Sequence, residues 1–124
     1  MFRFLLDENT HGSLAETVLD ACRRYGVKPL DMIHVGEPDA PAFGTPDRDL
    51  LLWSMHQKRL LVTYDYTTVP VFLSDHLAGG NSHPGVLLIR RHQSLSSVAE
   101  SLVMISVAGS KNDYIDCCKW IPFD

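Results

Sequence analysis

Cysteine is scarce and poorly placed for cross-linking. The chain has three, Cys22, Cys117 and Cys118. An odd count with two neighbours adjacent is no disulfide framework, and bridging adjacent cysteines strains the peptide between them. A reducing, cytoplasmic setting is expected. Long apolar runs are missing too. None approaches the roughly 18 residues of a membrane span. The first residues hold one Arg and a short apolar run ending at Asp7, unlike a secretory leader. Positive charge is in deficit: 11 Lys and Arg against 15 Asp and Glu give a net charge of −4. That argues against a strongly basic nucleic-acid binder, though an enzyme that cuts nucleic acid with metal-binding carboxylates can be acidic. Neither C-x₂-C nor H-x₃₋₅-H spacing occurs among the three cysteines and six histidines, which speaks against zinc. Also missing are a Gly-x-Ser-x-Gly elbow and a phosphate-cradling glycine loop.

What is present is one domain's worth of ordinary globular sequence. The 124 residues are 45% apolar and 21% charged, enough to bury a core without a metal or disulfide. A single domain over residues 1–124 is expected. Short apolar runs alternate with amphipathic segments. Strands are expected at Phe2 to Leu6, Leu30 to Val35, Leu60 to Thr63, Gly85 to Ile89 and Tyr114 to Ile121. Ser13-Leu14-Ala15-Glu16 reads as a capping box opening a helix with Leu14, Val18, Cys22 and Tyr25 on one face, stopped at Gly26. A loop from Gly36 to Pro46 holds three of the seven prolines. Thr45-Pro46-Asp47 starts the next helix, with Pro at its first position. Val69 to Leu77 reads as helix, closed by Gly79-Gly80. Ser97-Val98-Ala99-Glu100 reads as a second capping box, before Leu102, Ile105 and Val107. Strands apolar on both faces between helices predict an α/β fold with a mostly parallel central sheet and helices on both faces.

In such sheets the residues just past the strands carry function. Asp7 and Glu8 follow the first strand and Asp65 the third. Asp47 and Asp49 open the helix leading into the third. Carboxylates clustered without Cys or His suit hard ions such as Mg²⁺ or Mn²⁺. Asp47 also suits a helix first turn in any protein, and Asp65 a hydrogen-bonded turn. Asp7 is harder to explain away, because an acid closing a buried strand is costly unless paired or metal-bound. Helix geometry points Asp49 away from Asp47. His11 lies just past Asn9, at the edge of this group.

Four motifs add a resemblance. Phe4-Leu5-Leu6-Asp7-Glu8-Asn9 resembles the opening box of a family of short PIN-like proteins of unknown function. Gly44-Thr45-Pro46-Asp47 resembles its second motif, Leu61-Val62-Thr63-Tyr64-Asp65 its third, and His83-Pro84-Gly85-Val86-Leu87-Leu88-Ile89-Arg90 its fourth strand. Order and spacing agree over residues 2 to 92. The resemblance implies a PIN-like fold and cleavage of RNA by clustered acids with Mg²⁺ or Mn²⁺. Many PIN-domain proteins are the ribonuclease toxins of toxin–antitoxin pairs. Asp7, Asp47 and Asp65 match the family's acidic positions, as metal ligands and catalytic groups. Many members carry a further Asp two residues after the third-motif acid, and here that position is Thr67.

The expected activity is therefore metal-dependent hydrolysis of RNA phosphodiesters. Asn9, Thr63, Thr67, Arg90 and Arg91 are the expected substrate-binding residues, the two arginines as phosphate grips. The expected partners are an RNA substrate, a small DNA-binding antitoxin and a second copy of the chain, with no membrane. The alternative is a catalytically inactive PIN-like module that binds RNA or protein. A response-regulator-like domain, whose acids also hold Mg²⁺, needs a lysine after a later strand. Here Ile89 is followed by Arg90.

Overall fold

The structure, a computed structural model, describes residues 1–10 and 12–123. Five strands form one all-parallel sheet in the order β2-β1-β3-β4-β5. They are β1 (Arg3–Leu6), β2 (Asp31–His34), β3 (Leu60–Thr63), β4 (Val86–Ile89) and β5 (Cys118–Ile121). The helices are α1 (Leu14–Tyr25), α2 (Asp47–His56), α3 (Thr68–Ala78) and α4 (Leu95–Ala108). Among the described residues no helix is long and apolar enough to cross a membrane.

Period-two alternation sorts the strand side chains into two cores. Phe4, Leu6, Leu60, Val62, Leu87 and Ile89 face α1 and α4. Leu5, Leu61, Val86 and Leu88 face α2 and α3. Residues of β1, β3 and β4 are buried on both faces, which is why these strands read as continuous apolar runs. The edge strands are half-exposed. Because α3 and α4 lie on opposite faces while β3→β4→β5 advances in one direction, the last two crossovers have opposite hands. One of them therefore departs from the right-handed rule.

Several boundaries differ from expectation. Ser94, not Ser97, caps α4. Its Oγ accepts the Ser97 N–H at 3.1 Å, and the earlier start lets Leu95 pack on the core. Ser94→Ala is expected to cost about 1 kcal/mol in urea unfolding, and Ser97→Ala less. Ser13 precedes α1, but its side chain makes no cap hydrogen bond. Gly26 does end α1, in the left-handed region at φ 67°. Pro46 sits one position before α2 rather than inside it. Tyr25 and Val107 are 54% and 61% exposed, because each falls past the buried arc of its helix. The last strand is only four residues long. Lys111–Asp113 forms a 3₁₀ turn and Asp116 has φ 63°, which no strand can accommodate. Gly85 admits the tight passage into β4: a Cβ there would lie 2.5 Å from the Tyr114 carbonyl oxygen.

Candidate metal and catalytic site

The chain leaves β1 for β2 on one side and reaches β3 on the other. Their carboxyl ends flank the point where strand order reverses, the usual place for a ligand crevice. Asp7 continues β1 there, its N–H bonded to the Val62 carbonyl at 3.0 Å. Its side chain is 3% exposed. Oδ1 accepts the Glu8 N–H and Oδ2 the Thr63 hydroxyl, both at 2.7 Å. The buried Thr10 fixes the backbone behind it, donating both N–H and hydroxyl to the Asp7 carbonyl.

Thr63, the last residue of β3, is the joint of the site. Its hydroxyl donates to Asp7 and accepts the Asp65 N–H at 3.1 Å. It is fully buried, so its role is to position acids. That corrects the expectation of a substrate contact. Asp65 Oδ1 accepts the N–H groups of Thr67 and Thr68 at 3.0 and 2.9 Å, and the Thr67 hydroxyl at 3.3 Å. It thus satisfies the amino end of α3, where the dipole also favours an anion. The same carboxylate is hydrogen-bonded to the carboxyl of Asp47, in the first turn of α2.

Electrostatics separates the two. Burial, the hydrogen bond and charge of Asp65, and the charges of Asp7 and Glu8 push Asp47 up to about 6. Burial also works to raise Asp65, but its bonds to Asp47, Thr67 and Thr68 outweigh that and hold it below the usual carboxylate value. Of the two, Asp47 is therefore the acid that takes up a proton first as the pH falls, which relieves the repulsion between the carboxylates.

Glu8 is the member that sequence reasoning did not place. It is exposed, and its Oε1 accepts the Gly44 N–H at 2.9 Å. That bond pins the loop before α2 to the end of β1 and brings Asp47 to the crevice. Its only sequence signal was adjacency to Asp7. The structure thus brings together Asp7, Asp47, Asp65, Thr63 and Thr67. Asn9 is exposed in the following turn, and Asp49 is exposed on α2. Asp49→Asn is expected to change any metal-dependent activity less than twofold, since exposed charges are screened. His11 lies outside the described residues.

Arg90 and Arg91 follow β4 at the same edge. Arg90 donates from Nε to the Pro122 carbonyl at 3.0 Å and lies over the Trp120 ring at 5.6 Å. Arg91 lies over the Tyr66 ring at 4.9 Å. Tyr66 and Trp120 pack together with centroids 4.8 Å apart, and the Tyr66 hydroxyl donates to the Ile89 carbonyl.

The donor set is all oxygen, the chemistry of Mg²⁺ or Mn²⁺ sites. Among the described residues no three His, Cys, Asp or Glu side chains are already arranged around one ion position. Asp47 and Asp65 interact directly, and their mutual repulsion when ionised is what a divalent cation would relieve. The residues fit such an ion on donor chemistry, with Asp7, Asp47 and Asp65 as the groups that would hold it. No family model, curated protein or solved structure matches the chain.

Proposed function

We propose that the protein is a Mg²⁺- or Mn²⁺-dependent endoribonuclease of PIN type, acting as the toxin of a toxin–antitoxin pair in the cytoplasm. The observation that carries the reading is the convergence of Asp47 and Asp65 beside the buried Asp7, at the crevice between β1 and β3. A cation there would lower the pKa of bound water and offset charge on a scissile phosphate. The chain's own residues supply the rest. Asp7, held by Thr63 and the Glu8 N–H, is the fixed ligand. Asp47 and Asp65 would be the further ligands, Asp65 being the one also held by the amino end of α3. Arg90 and Arg91, at the same edge, would grip the RNA backbone, and Asn9 and Thr67 line the approach.

One observation favours the inactive binding module as a second reading. The position where many PIN-like proteins carry another acid is Thr67, whose hydroxyl bonds Asp65. Strand order 2-1-3-4-5 is also used by response regulators. However, no lysine follows β4 or β5 here, and phosphate acceptance is not favoured.

The test is a mixed RNA pool incubated with the protein and Mn²⁺, then chased with EDTA. Cleavage that EDTA stops supports the nuclease. RNA bound but uncut supports the module. Co-expression with the neighbouring genes tests the toxin assignment, which expects growth arrest relieved by a small DNA-binding partner.

A further inference from the structure

At the opposite edge of the sheet, at the amino ends of β3 and β4, lies a cavity of about 290 Å³. Leu60, Pro84 and Ile115 give it an apolar floor, and Lys58, Lys111, Ser82 and His83 also line it. The volume is at the small end of pockets that hold organic ligands. Nothing in the proposed RNA chemistry uses it.

Charge here runs against the rest of the molecule. The protein is acidic overall, yet no carboxylate lines this cavity. Most of its cations are already engaged. Arg3, Arg23, Arg24 and Arg59 are ion-paired, while Arg90, Arg91 and Lys119 lie over aromatic rings. Among the described residues Lys28, Arg48, Lys58 and Lys111 do neither, and two of these four, Lys58 and Lys111, line the cavity. Lys58 is held at its rim by an unusual backbone, φ 57°.

His83 is the second, independent feature. It is 4% exposed, and its Nδ1 accepts the Gly85 N–H at 3.1 Å. An N–H can only donate, so Nδ1 carries no proton. The neutral ring is therefore protonated at Nε2, the one ring atom left to serve a ligand, and there it is a donor. Burial lowers the His83 pKa, against the opposing charge of Asp116, which keeps the neutral tautomer present at pH 7. Asp116 fixes the loop from outside by accepting the Ser82 hydroxyl at 2.7 Å and the His83 N–H at 2.9 Å.

We propose that this cavity binds a small organic anion: a flat apolar ring over Leu60, Pro84 and Ile115, bearing one carboxylate or phosphate held by Lys58, Lys111 and the His83 imidazole. Both anionic groups share the same chemistry, an oxygen acceptor with negative charge on an apolar body. The two lysines select for charge and the floor selects for the ring.

The experiment titrates the full chain with benzoate, phenyl phosphate, benzamide and inorganic phosphate, followed by backbone amide NMR shifts. Either aromatic anion is expected to shift Leu60, His83, Gly85 and Ile115 in a saturable way. Benzamide, neutral and of the same shape as benzoate, and inorganic phosphate, charged but without a ring, should each bind at least about tenfold more weakly. The double substitution Lys58→Gln/Lys111→Gln, at two exposed positions, should weaken the anion about tenfold with an unchanged spectrum elsewhere. Equal binding of benzamide would reduce the site to an apolar slot. Equal binding of inorganic phosphate would reduce it to surface lysines. Either result, or no saturable shift at about 10 mM anion, overturns the proposal. RNA cleavage is not read in this experiment, so its outcome is independent of the nuclease assignment.

Discussion

Asp7→Asn is expected to abolish metal-dependent RNA cleavage, by 10²–10³-fold or more, the order seen when one preorganised polar group at a reacting centre is removed, while leaving the fold intact. The physical case rests on how completely Asp7 is held. It is nearly buried, on the end of the interior strand β1, with one oxygen on the Glu8 N–H and the other on the Thr63 hydroxyl. A site on such an element is set more accurately than one on a loop. Asn keeps the shape, and its carbonyl oxygen keeps the Glu8 bond. Its NH₂ group then faces Thr63, whose oxygen already accepts the Asp65 N–H. That oxygen has a second lone pair for the amide, so the local cost is one unused hydroxyl hydrogen, about 1 kcal/mol. Loss of a buried negative charge next to Asp47 and Glu8 offsets this cost. Melting temperature should therefore move little while cleavage disappears. Activity equal to the unaltered protein would exclude Asp7 as a ligand and, with it, the nuclease assignment.

Much of this site was legible because its strongest signal is local. An acid at the end of an apolar run stands out whatever the tertiary structure, and Asp7 and Asp65 both carry that signal. The same holds for β1, β3 and β4, whose burial on both faces leaves no polar positions to confuse the pattern. The parts that sequence could not show depend on distant pairs. Glu8 reaches Gly44 and Thr63 reaches Asp7 only because the sheet makes them neighbours. Neither pairing has a period or spacing to read. Thr63 looked like a substrate contact for that reason: its motif position is visible, but the direction of its hydroxyl is not. At the edge strand β5 the apolar pattern itself fails. Cys118 and Trp120 face outward, and the residues before them turn rather than extend. The capping of α4 was misread because Ser94 and Ser97 are both plausible caps. The choice is made by Leu95, which gains core contact only if the helix starts early.

Raising the pH through 6 is expected to destabilise the metal-free protein at Asp47 and to switch on its response to Mn²⁺. The sign follows from the shift. Asp47 is raised to about 6 in the folded chain, against an ordinary aspartate value near 4 when unfolded. Below pH 4 both states are protonated and nothing is lost. Between about 4 and 6 the folded state holds a proton that the unfolded state has released, so stability falls with rising pH and stays lower above 6. Asp65, shifted down, works in the opposite sense: its contribution is present above the unfolded value and is lost only as the pH falls through the lower folded one. The pH 4–6 window thus belongs to Asp47. Solvent screening at this half-buried site reduces the effect to about 1 kcal/mol. Asp47→Asn should remove that loss, giving a protein as stable as the original at pH 4 and about 1 kcal/mol more stable at pH 7.5. A divalent cation competes with the same proton. Millimolar Mn²⁺ should raise the melting temperature of the unaltered protein at pH 7.5, by mass action on the folded state, and much less at pH 5. In Asp47→Asn the Mn²⁺ response should be largely lost at both. Thermal scans at the two pH values, with and without Mn²⁺, check all three statements. An Mn²⁺ shift that survives Asp47→Asn unchanged would place the ion elsewhere. The absence of any shift at pH 7.5 would leave the crevice as a binding surface rather than a catalytic one.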